Sequence, residues 1–399
     1  MLTTTAKPEA DPSSSAGRPR SASTHGAEGI YLDHAATAPL DPSIAAAMNA
    51  VASQHFGNPS SRHALGLAAE RQLRQARAQI ARRLGLVDGT VVFTSGATEA
   101  LAIAILGSGR ARRQPGHVLV SAVEHAAVRE NALLLARDGH EVEEIPVDAD
   151  GRIQQRELLA RLRPETFLVC VMHANNEVGV VQPIGRVARA VKRERPRCRI
   201  LVDMVQSFGV LDTDVAASGV DMVAVSAHKL HGPKGVGALG LAPGVSLPPL
   251  WAGGGQEHGL RAGTENVAGA VGFGLAAEAG KGDPERFIAF GERLLAAVRE
   301  VLPDARALVD PRHRAPHILA VTLPGLRSEV VVNALSERGL WVSSGSACHS
   351  RRSLRSRVLT AMGVDERDGV IRLSFGRSLD DDRVDRAAEL LRAVLAELS

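Results

Sequence analysis

The residues best placed to do chemistry lie in three short stretches. In MVAVSAHKLHGPKG, residues 222–235, a lysine sits between two histidines just before a glycine turn. Met222 to Val225 form the short apolar run of a strand buried on both faces, so Ser226, His228 and Lys229 are expected at its carboxyl end. Open α/β sheets hold their ligands there. A lysine in such a crevice loses hydration, its pKa falls, and the neutral amine can add to a carbonyl to form a Schiff base. A lone lysine beside a turn is more often a surface residue, and Lys234 is read that way. In TVVFTSGATEALAIAIL, residues 90–106, a strand gives way to Ser95, Gly96, Ala97 and Thr98 and then to an apolar helix. That design offers backbone N–H groups and a positive helix end to an anion, with the Thr98 hydroxyl as a further donor. Read alone, this segment is equally compatible with a plain strand–helix connection, and without a Walker lysine or GxGxxG it does not imply a nucleotide.

The third stretch is SSGSACHS, residues 343–350, where Cys348 lies among small polar residues. His349, Arg351, Arg352, Arg355 and Arg357 surround it, with no acid before Asp365. Positive surroundings lower a thiol's pKa and raise its thiolate fraction. Cys170 lies in an apolar strand and is read as a buried, inert thiol, and Cys198 opens another strand. The three cysteines form no CxxC pair and no His/Cys cluster at ligand spacing, so neither a disulfide scaffold nor a metal site is expected.

These residues need a sheet to bring them together. From residue 90 onward strands at 90–94, 117–121, 140–145, 167–172, 199–203, 221–225 and 236–241 are punctuated by helices at 125–137, 154–163 and 183–194. This spacing predicts a doubly wound, mostly parallel sheet with helices on both faces. Polar residues collect just past strand ends: His125, then Asn175, Asn176 and Glu177, then Asp203 with Gln206, then Ser226, His228 and Lys229. Each is compatible with a cap or turn; their joint placement points to one ligand-binding edge. Residues 251–266 form a glycine-rich loop with no core pattern, of the kind that carries function or contacts a partner. The tract KGDP, residues 281–284, marks a seam. Beyond it the pattern changes to a smaller α+β unit. The expected division is a disordered tail over 1–28, an extended segment over 29–40 packing on the small domain, a large domain over 41–283 and a small domain over 284–399.

The chain's 399 residues exceed one ordinary domain, and 45% hydrophobic with 23% charged residues suits a soluble globular protein. A net charge of +3 spread over this length is far from a nucleic-acid-binding stripe. No apolar run is long enough to span a membrane, and residues 1–28 lack the apolar core of a secretory signal. Glu9, Asp11 and Glu28 argue against a transit peptide. A reducing cytoplasm is the expected location.

A Schiff-base lysine, an anion cup and an aspartate at a strand end are together the parts that hold pyridoxal phosphate. The ordered motifs YLDHAATAP, FGNPSSRHALG, FTSGATEA, VEHAAV, MHANNEVGVVQPI, VDMVQSFG, SAHKLHGPKGVGAL, GGGQEHGLRAGTEN, SSGSACHS and IRLSFGR carry a closer likeness. Over residues 29–397 the chain resembles the cysteine desulfurases of the IscS/NifS kind, class V members of the fold type I aminotransferase superfamily. The resemblance implies a fold type I pyridoxal-phosphate transferase. In it Lys229 binds the cofactor aldehyde, Asp203 pairs with the pyridinium nitrogen, Gln206 donates to the ring hydroxyl, and His125 stacks on the ring. Ala97, Thr98, Ser226 and His228 hold the phosphate, and Thr264 reaches the phosphate of a neighbouring subunit in a homodimer. Asn176 and Arg372 orient the substrate, Arg372 as a carboxylate clamp, a task suited to a planar bidentate donor.

The implied reaction converts L-cysteine to L-alanine and leaves its sulfur as a persulfide on Cys348. Lys229 carries the Cα proton, and His125 is a candidate proton carrier. A scaffold or sulfur-carrier protein then receives the sulfur, bound for iron-sulfur clusters, tRNA, DNA or a metabolite. Two departures stand out. Met204 and Val205 replace small residues between Asp203 and Gln206, which predicts a bulkier floor under the ring. The stretch after Cys348 is unusually basic and lacks the family's proline and tyrosine. The competing readings are a selenocysteine lyase, a class V aminotransferase and a non-catalytic docking protein. Cys348 in SSGSAC argues against the two enzymes, which share the cofactor site but need no sulfur-accepting thiol, and retention of Lys229, Asp203, His125 and Cys348 together argues against the docking protein.

Overall fold

The computed structural model describes residues 29–86, 88–212, 214–344, 356–365 and 367–399. The expected tail and Cys348, with His349, Arg351, Arg352 and Arg355, lie outside the described residues. The chain runs β1 (Ile30–Tyr31), α1 (Pro42–Gln54), α2 (Ala64–Arg83), β2 (Thr90–Thr94), α3 (Ala97–Arg110), β3 (His117–Ser121), α4 (Ala126–Arg137), β4 (Glu141–Ile145), α5 (Gln155–Arg161) and β5 (Thr166–Met172). It continues α6 (Ile184–Glu194), β6 (Arg199–Asp203), α7 (Val215–Ser218), β7 (Met222–Ser226), β8 (Gly237–Leu241), α8 (Val267–Ala279) and α9 (Pro284–Val301). The last elements are β9 (Ile318–Leu323), α10 (Ser328–Glu337), β10 (Leu340–Trp341), α11 (Arg357–Ala361), β11 (Gly369–Ser374) and α12 (Asp381–Leu398).

Alternation along the apolar strands sets the layers. Val169 and Val171 of β5, Ile200 and Val202 of β6, and Val223 and Val225 of β7 join one core with Leu73, Ile80 and Phe273 from α2 and α8. Their neighbours Leu168, Cys170, Leu201, Met222 and Ala224 join another, under Leu101, Ile105 and Val128 from α3 and α4. The result is an α/β sheet covered on both faces. Its seven strands are ordered β2-β8-β7-β6-β5-β3-β4. β3, β4, β5, β6 and β7 pair in parallel, while β8 is antiparallel to both β2 and β7. The reason is local. Between β7 and β8 the chain makes one short 3-10 turn, Ala227–Lys229, and no crossover helix, so it must return in the opposite direction.

A third core gathers α9, α10 and α12 against the antiparallel pair β9 and β11. The segment from residue 30 to 38 straps the two parts together. Its β1 pairs in parallel with β10, and Asp33 bridges to Ser374 of β11. Asp41 then starts α1 as an N-cap whose side chain accepts from Ser43 N at 2.8 Å, with Pro42 at the first helical position. No described helix is long and apolar enough to cross a membrane.

Candidate active site

A cavity of about 510 Å³ opens at the carboxyl ends of the parallel strands, on the side of α3 and α4. Ala97, Thr98, His125, Asn176, Asp203, Gln206, Ser226, His228, Lys229 and Arg372 all line it. All but Arg372, which reaches in from β11, converge there because they follow strand ends of the same sheet.

Lys229 ends the 3-10 turn after β7. Its Nζ donates to the carbonyls of Ala35 at 2.7 Å and Ala36 at 2.6 Å, so the strap lies directly over the amine. His228 is tied to the same strap, its Nδ1 3.1 Å from Thr37 Oγ1 and its carbonyl accepting from Ala38 N at 2.8 Å. Burial first, then the charges of Lys229, Lys234 and Lys281, push its pKa down to about 4. His228 is therefore neutral at physiological pH and can offer an anion a hydrogen bond but no charge.

The anion cup is the turn from β2 into α3. Its cap, Gly96, places no side chain over the N–H groups of the first turn. Glu99 takes Ser95 N at 2.5 Å and pairs with Arg261 at 3.0 Å, which joins the cup to the glycine-rich loop. That loop has a second anchor: Glu257, held with positive φ, accepts from Phe93 N at 2.8 Å and from two nitrogens of Arg77 at 2.7 and 2.9 Å. β8 passes so close that a Cβ on Gly237 would lie 2.6 Å from the Gly96 carbonyl carbon.

Asp203 closes β6 and is buried. Burial pushes its carboxyl pKa up, against the charges of His125 and Lys229 and a hydrogen bond from Val205 N. Such a carboxylate favours a cation in the cavity. His125 caps α4, its Nδ1 accepting from Ala127 N at 3.0 Å, so the proton of the neutral ring belongs on Nε2. Arg372 projects from β11 and is 2% exposed. It donates to Asp33 Oδ1 at 2.5 Å and to the Asn176 carbonyl at 2.7 Å, and its buried Nε has no hydrogen-bond partner among the described residues. A buried carboxylate, an amine, a capless helix end and an unmatched guanidinium N–H fit a flat, aldehyde-bearing phosphate ester with an amino acid beside it.

Several residues lie elsewhere than their role would suggest, or were not singled out from the sequence. Thr264 is exposed and outside the cavity. Lys234, read as a surface residue, is exposed but stands at the cavity rim. Of the expected floor residues, Val205 lines the cavity, whereas Met204 turns into the core on the opposite sheet face. Only one of the two thus thickens the floor. Within the basic run, Arg357 pairs with Glu144 at 2.7 Å. Sequence reasoning passed over Asp33, Ala35 and Ala36, although they lie inside a quoted motif: the Asp33 carboxylate meets Arg372 from far along the chain, and the backbone carbonyls of Ala35 and Ala36 leave no residue signature. It also passed over Glu124, beside His125. Glu124 is buried, accepts from Ser121 Oγ at 2.7 Å and Met172 N at 2.5 Å, and burial followed by the Asp203 charge raises its pKa to about 8.

The family model described as aminotransferase class-V matches residues 30–387. The chain is 40% identical over 380 residues to the putative cysteine desulfurase IscS 1 of Bacillus subtilis strain 168, an alignment covering 93% of this chain and all of that protein. A solved structure described as a NifS-like protein superposes with a TM-score of 0.86 at 32% identity, covering 93% of this chain and all of the other. SspA in complex with cysteine superposes with a TM-score of 0.77, also at 32% identity, over 87% of this chain and 99% of its own.

Proposed function

This chain belongs to the aminotransferase class-V family and is a pyridoxal-phosphate-dependent cysteine desulfurase, and from that premise we propose how its own residues divide the work. The observation that carries the assignment is convergence: Lys229, Asp203, His125, the cup at Ala97 and Thr98, and Arg372 line one cavity. Bound there, the cofactor supplies a covalent hold on the amino acid's nitrogen and a sink for the electrons released at Cα. Ala97, Thr98, Ser226 and His228 would hold its phosphate, His125 would cover its ring, and Asp203 and Gln206 would meet its nitrogen and its hydroxyl. Lys229, whose Nζ reaches the cavity, would bind its aldehyde.

Arg372 and Asn176 bind the substrate carboxylate. As a free amine, Lys229 takes the Cα proton, and the strap carbonyls of Ala35 and Ala36 hold its Nζ at the cavity. The Cys348 thiolate attacks the substrate sulfur. A sulfur–sulfur bond forms, the carbon–sulfur bond breaks, and its electron pair stays with the carbon skeleton, which leaves as L-alanine once protonated. His125 is the proton carrier for that return. The persulfide then passes to an acceptor protein in the cytoplasm.

Thr264 stands exposed on a loop anchored to the cup by Glu257 and Arg261. We place it at a partner subunit's phosphate site, in a homodimer whose small domains, residues 284–399, carry the Cys348 loops. A monomeric, fully active protein in sedimentation would overturn that picture.

The test is alanine release from L-cysteine by three variants. Lys229→Ala should lose both turnover and the covalent hold on the cofactor, seen by its visible absorption, while Lys234→Ala keeps both. Cys348→Ser should keep the cofactor and still bind L-cysteine, yet form no alanine. Undiminished alanine formation by Cys348→Ser would remove that residue from the reaction.

A further inference from the structure

A second lysine lies beneath the cavity and takes no part in the steps above. Lys281 follows α8, is 3% exposed, and directs its Nζ to Gln206: 2.6 Å from the backbone carbonyl and 3.3 Å from side-chain Oε1. His317 Nε2 stands 3.2 Å from the same Nζ and 3.5 Å from Gln206 Oε1. On its other side Gln206 donates from Nε2 to the Ala35 carbonyl at 2.9 Å, the carbonyl that also accepts from Lys229 Nζ.

An amide side chain presents a donor at one end and an acceptor at the other, and its orientation is set by its neighbours. Here both neighbours agree. Ala35 O can only accept, so Nε2 must face the strap. Lys281 donates, so Oε1 must face Lys281. Nε2 carries two hydrogens and Ala35 takes one, which leaves one donor for the cavity that Gln206 lines.

Burial, with a contribution from the Lys229 charge, pushes the Lys281 amine well below its ordinary value, and burial does the same to His317. With both neutral, the hydrogens balance. Two Lys281 N–H groups meet the two Gln206 oxygens, and the amine lone pair accepts from His317 Nε2–H. A buried lysine with this arrangement is tolerated without a carboxylate partner, whereas a charged one would not be.

We propose that Lys281 is a positioning residue: it locks the Gln206 amide with Nε2 toward the cavity, so that the cofactor's ring oxygen always meets a donor and never the amide oxygen. This rests on the reading that Gln206 faces the ring hydroxyl. Without Lys281, the single contact to the Ala35 carbonyl is all that opposes a turn of Oε1 toward an oxygen that carries partial negative charge. Lys281 acts through Gln206 and touches neither cofactor nor substrate.

The experiment uses holoenzyme and apo-protein of Lys281→Met, Gln206→Ala and the double variant. It reads the pH midpoint of the visible absorption change, the cofactor dissociation constant and the melting temperature. Lys281→Met and Gln206→Ala should move the midpoint in the same direction and each weaken cofactor binding about tenfold, the scale of one lost hydrogen bond to a charged group. The double variant should be no worse than Gln206→Ala, because the two residues act as a unit. A Lys281→Met protein that melts lower but keeps midpoint and affinity, or effects that add in the double variant, would overturn the proposal. Should Gln206→Ala itself change neither, it is the ring-hydroxyl reading that fails. If Lys281→Met does not fold, Lys281→Gln, whose shorter side chain no longer reaches Gln206 Oε1, should still move the midpoint in the direction of Gln206→Ala, and an unchanged midpoint overturns the proposal.

Discussion

Two of the N–H groups of Arg372 are taken before any substrate arrives, one by Asp33 and one by the Asn176 carbonyl, and these contacts hold the guanidinium plane fixed in the cavity wall. A lysine has the charge but not the fork, and cannot span Asp33, Asn176 and a carboxylate at once. Arg372→Lys is expected to lose about 2 kcal/mol of substrate binding, roughly thirtyfold in kcat/KM, mostly as a raised KM. Steady-state kinetics with L-cysteine decide it; an unchanged KM would place the carboxylate elsewhere. Glu124 makes a different demand. Its pKa is about 4.5 when exposed and about 8 in the fold, so the folded protein holds a proton there that the unfolded chain has lost. Its contribution to stability is complete below pH 4.5 and declines as pH rises toward 8. Glu124→Gln keeps the shape without the titration. Its melting temperature should match the parent near pH 5 and exceed it by a gap that widens up to pH 8; a constant gap would show that the carboxyl does not titrate there.

Among the elements, the approach of β8 to the cup is the tightest constraint on the site. A methyl group on Gly237 meets backbone atoms of Gly96, which cannot rotate away as a flexible side chain would. Gly237→Ala should therefore displace the first turn of α3 and raise the cofactor dissociation constant about tenfold or more, with the helix content of the apo-protein intact. Titration of apo-protein with cofactor, beside far-UV circular dichroism, separates this from global misfolding. The presence of this strand was plain in the sequence, since Val236 to Leu241 are apolar, but its direction was not. Direction depends on what lies between strands, and the short turn after Lys229 gives no crossover. The side to which Met204 points was likewise hidden, because strand parity is lost where β6 ends at Asp203. Residues at strand ends were legible because their chemistry is carried by side-chain type. Contacts made by carbonyls of the strap, or by Lys281 from a segment that reads as a seam, depend on chain ends meeting in space and leave no local pattern.

At the level of the whole molecule, buried imidazoles shape the response to acid. His34, His173, His228 and His231 each have a pKa lowered to about 4, in every case chiefly by burial. In the unfolded chain these rings take up protons near pH 6.5, so the stability they confer is present above that pH and is lost as pH falls from 6.5 toward 4. The raised carboxyls of Glu124, Glu177 and Asp203 slope the other way, but the rings outnumber them, since burial also lowers His117, His140 and His317. Thermal melts between pH 7.5 and 5 should show the midpoint falling steadily; a flat profile would mean that water reaches these rings. His34, His228 and His231, with Lys281 and His317, gather where the strap meets β11 and the turn after β7. Asp33 meets Arg372, and Ala35 N meets Ser374 Oγ, each across 339 residues of sequence. At the pace of synthesis, about 5–20 residues per second, the first of these partners waits on the order of half a minute for the second. The roof over Lys229 is thus among the earliest parts of the chain to leave the ribosome and among the last to be fastened, which makes cofactor loading an event that follows translation rather than one that accompanies it.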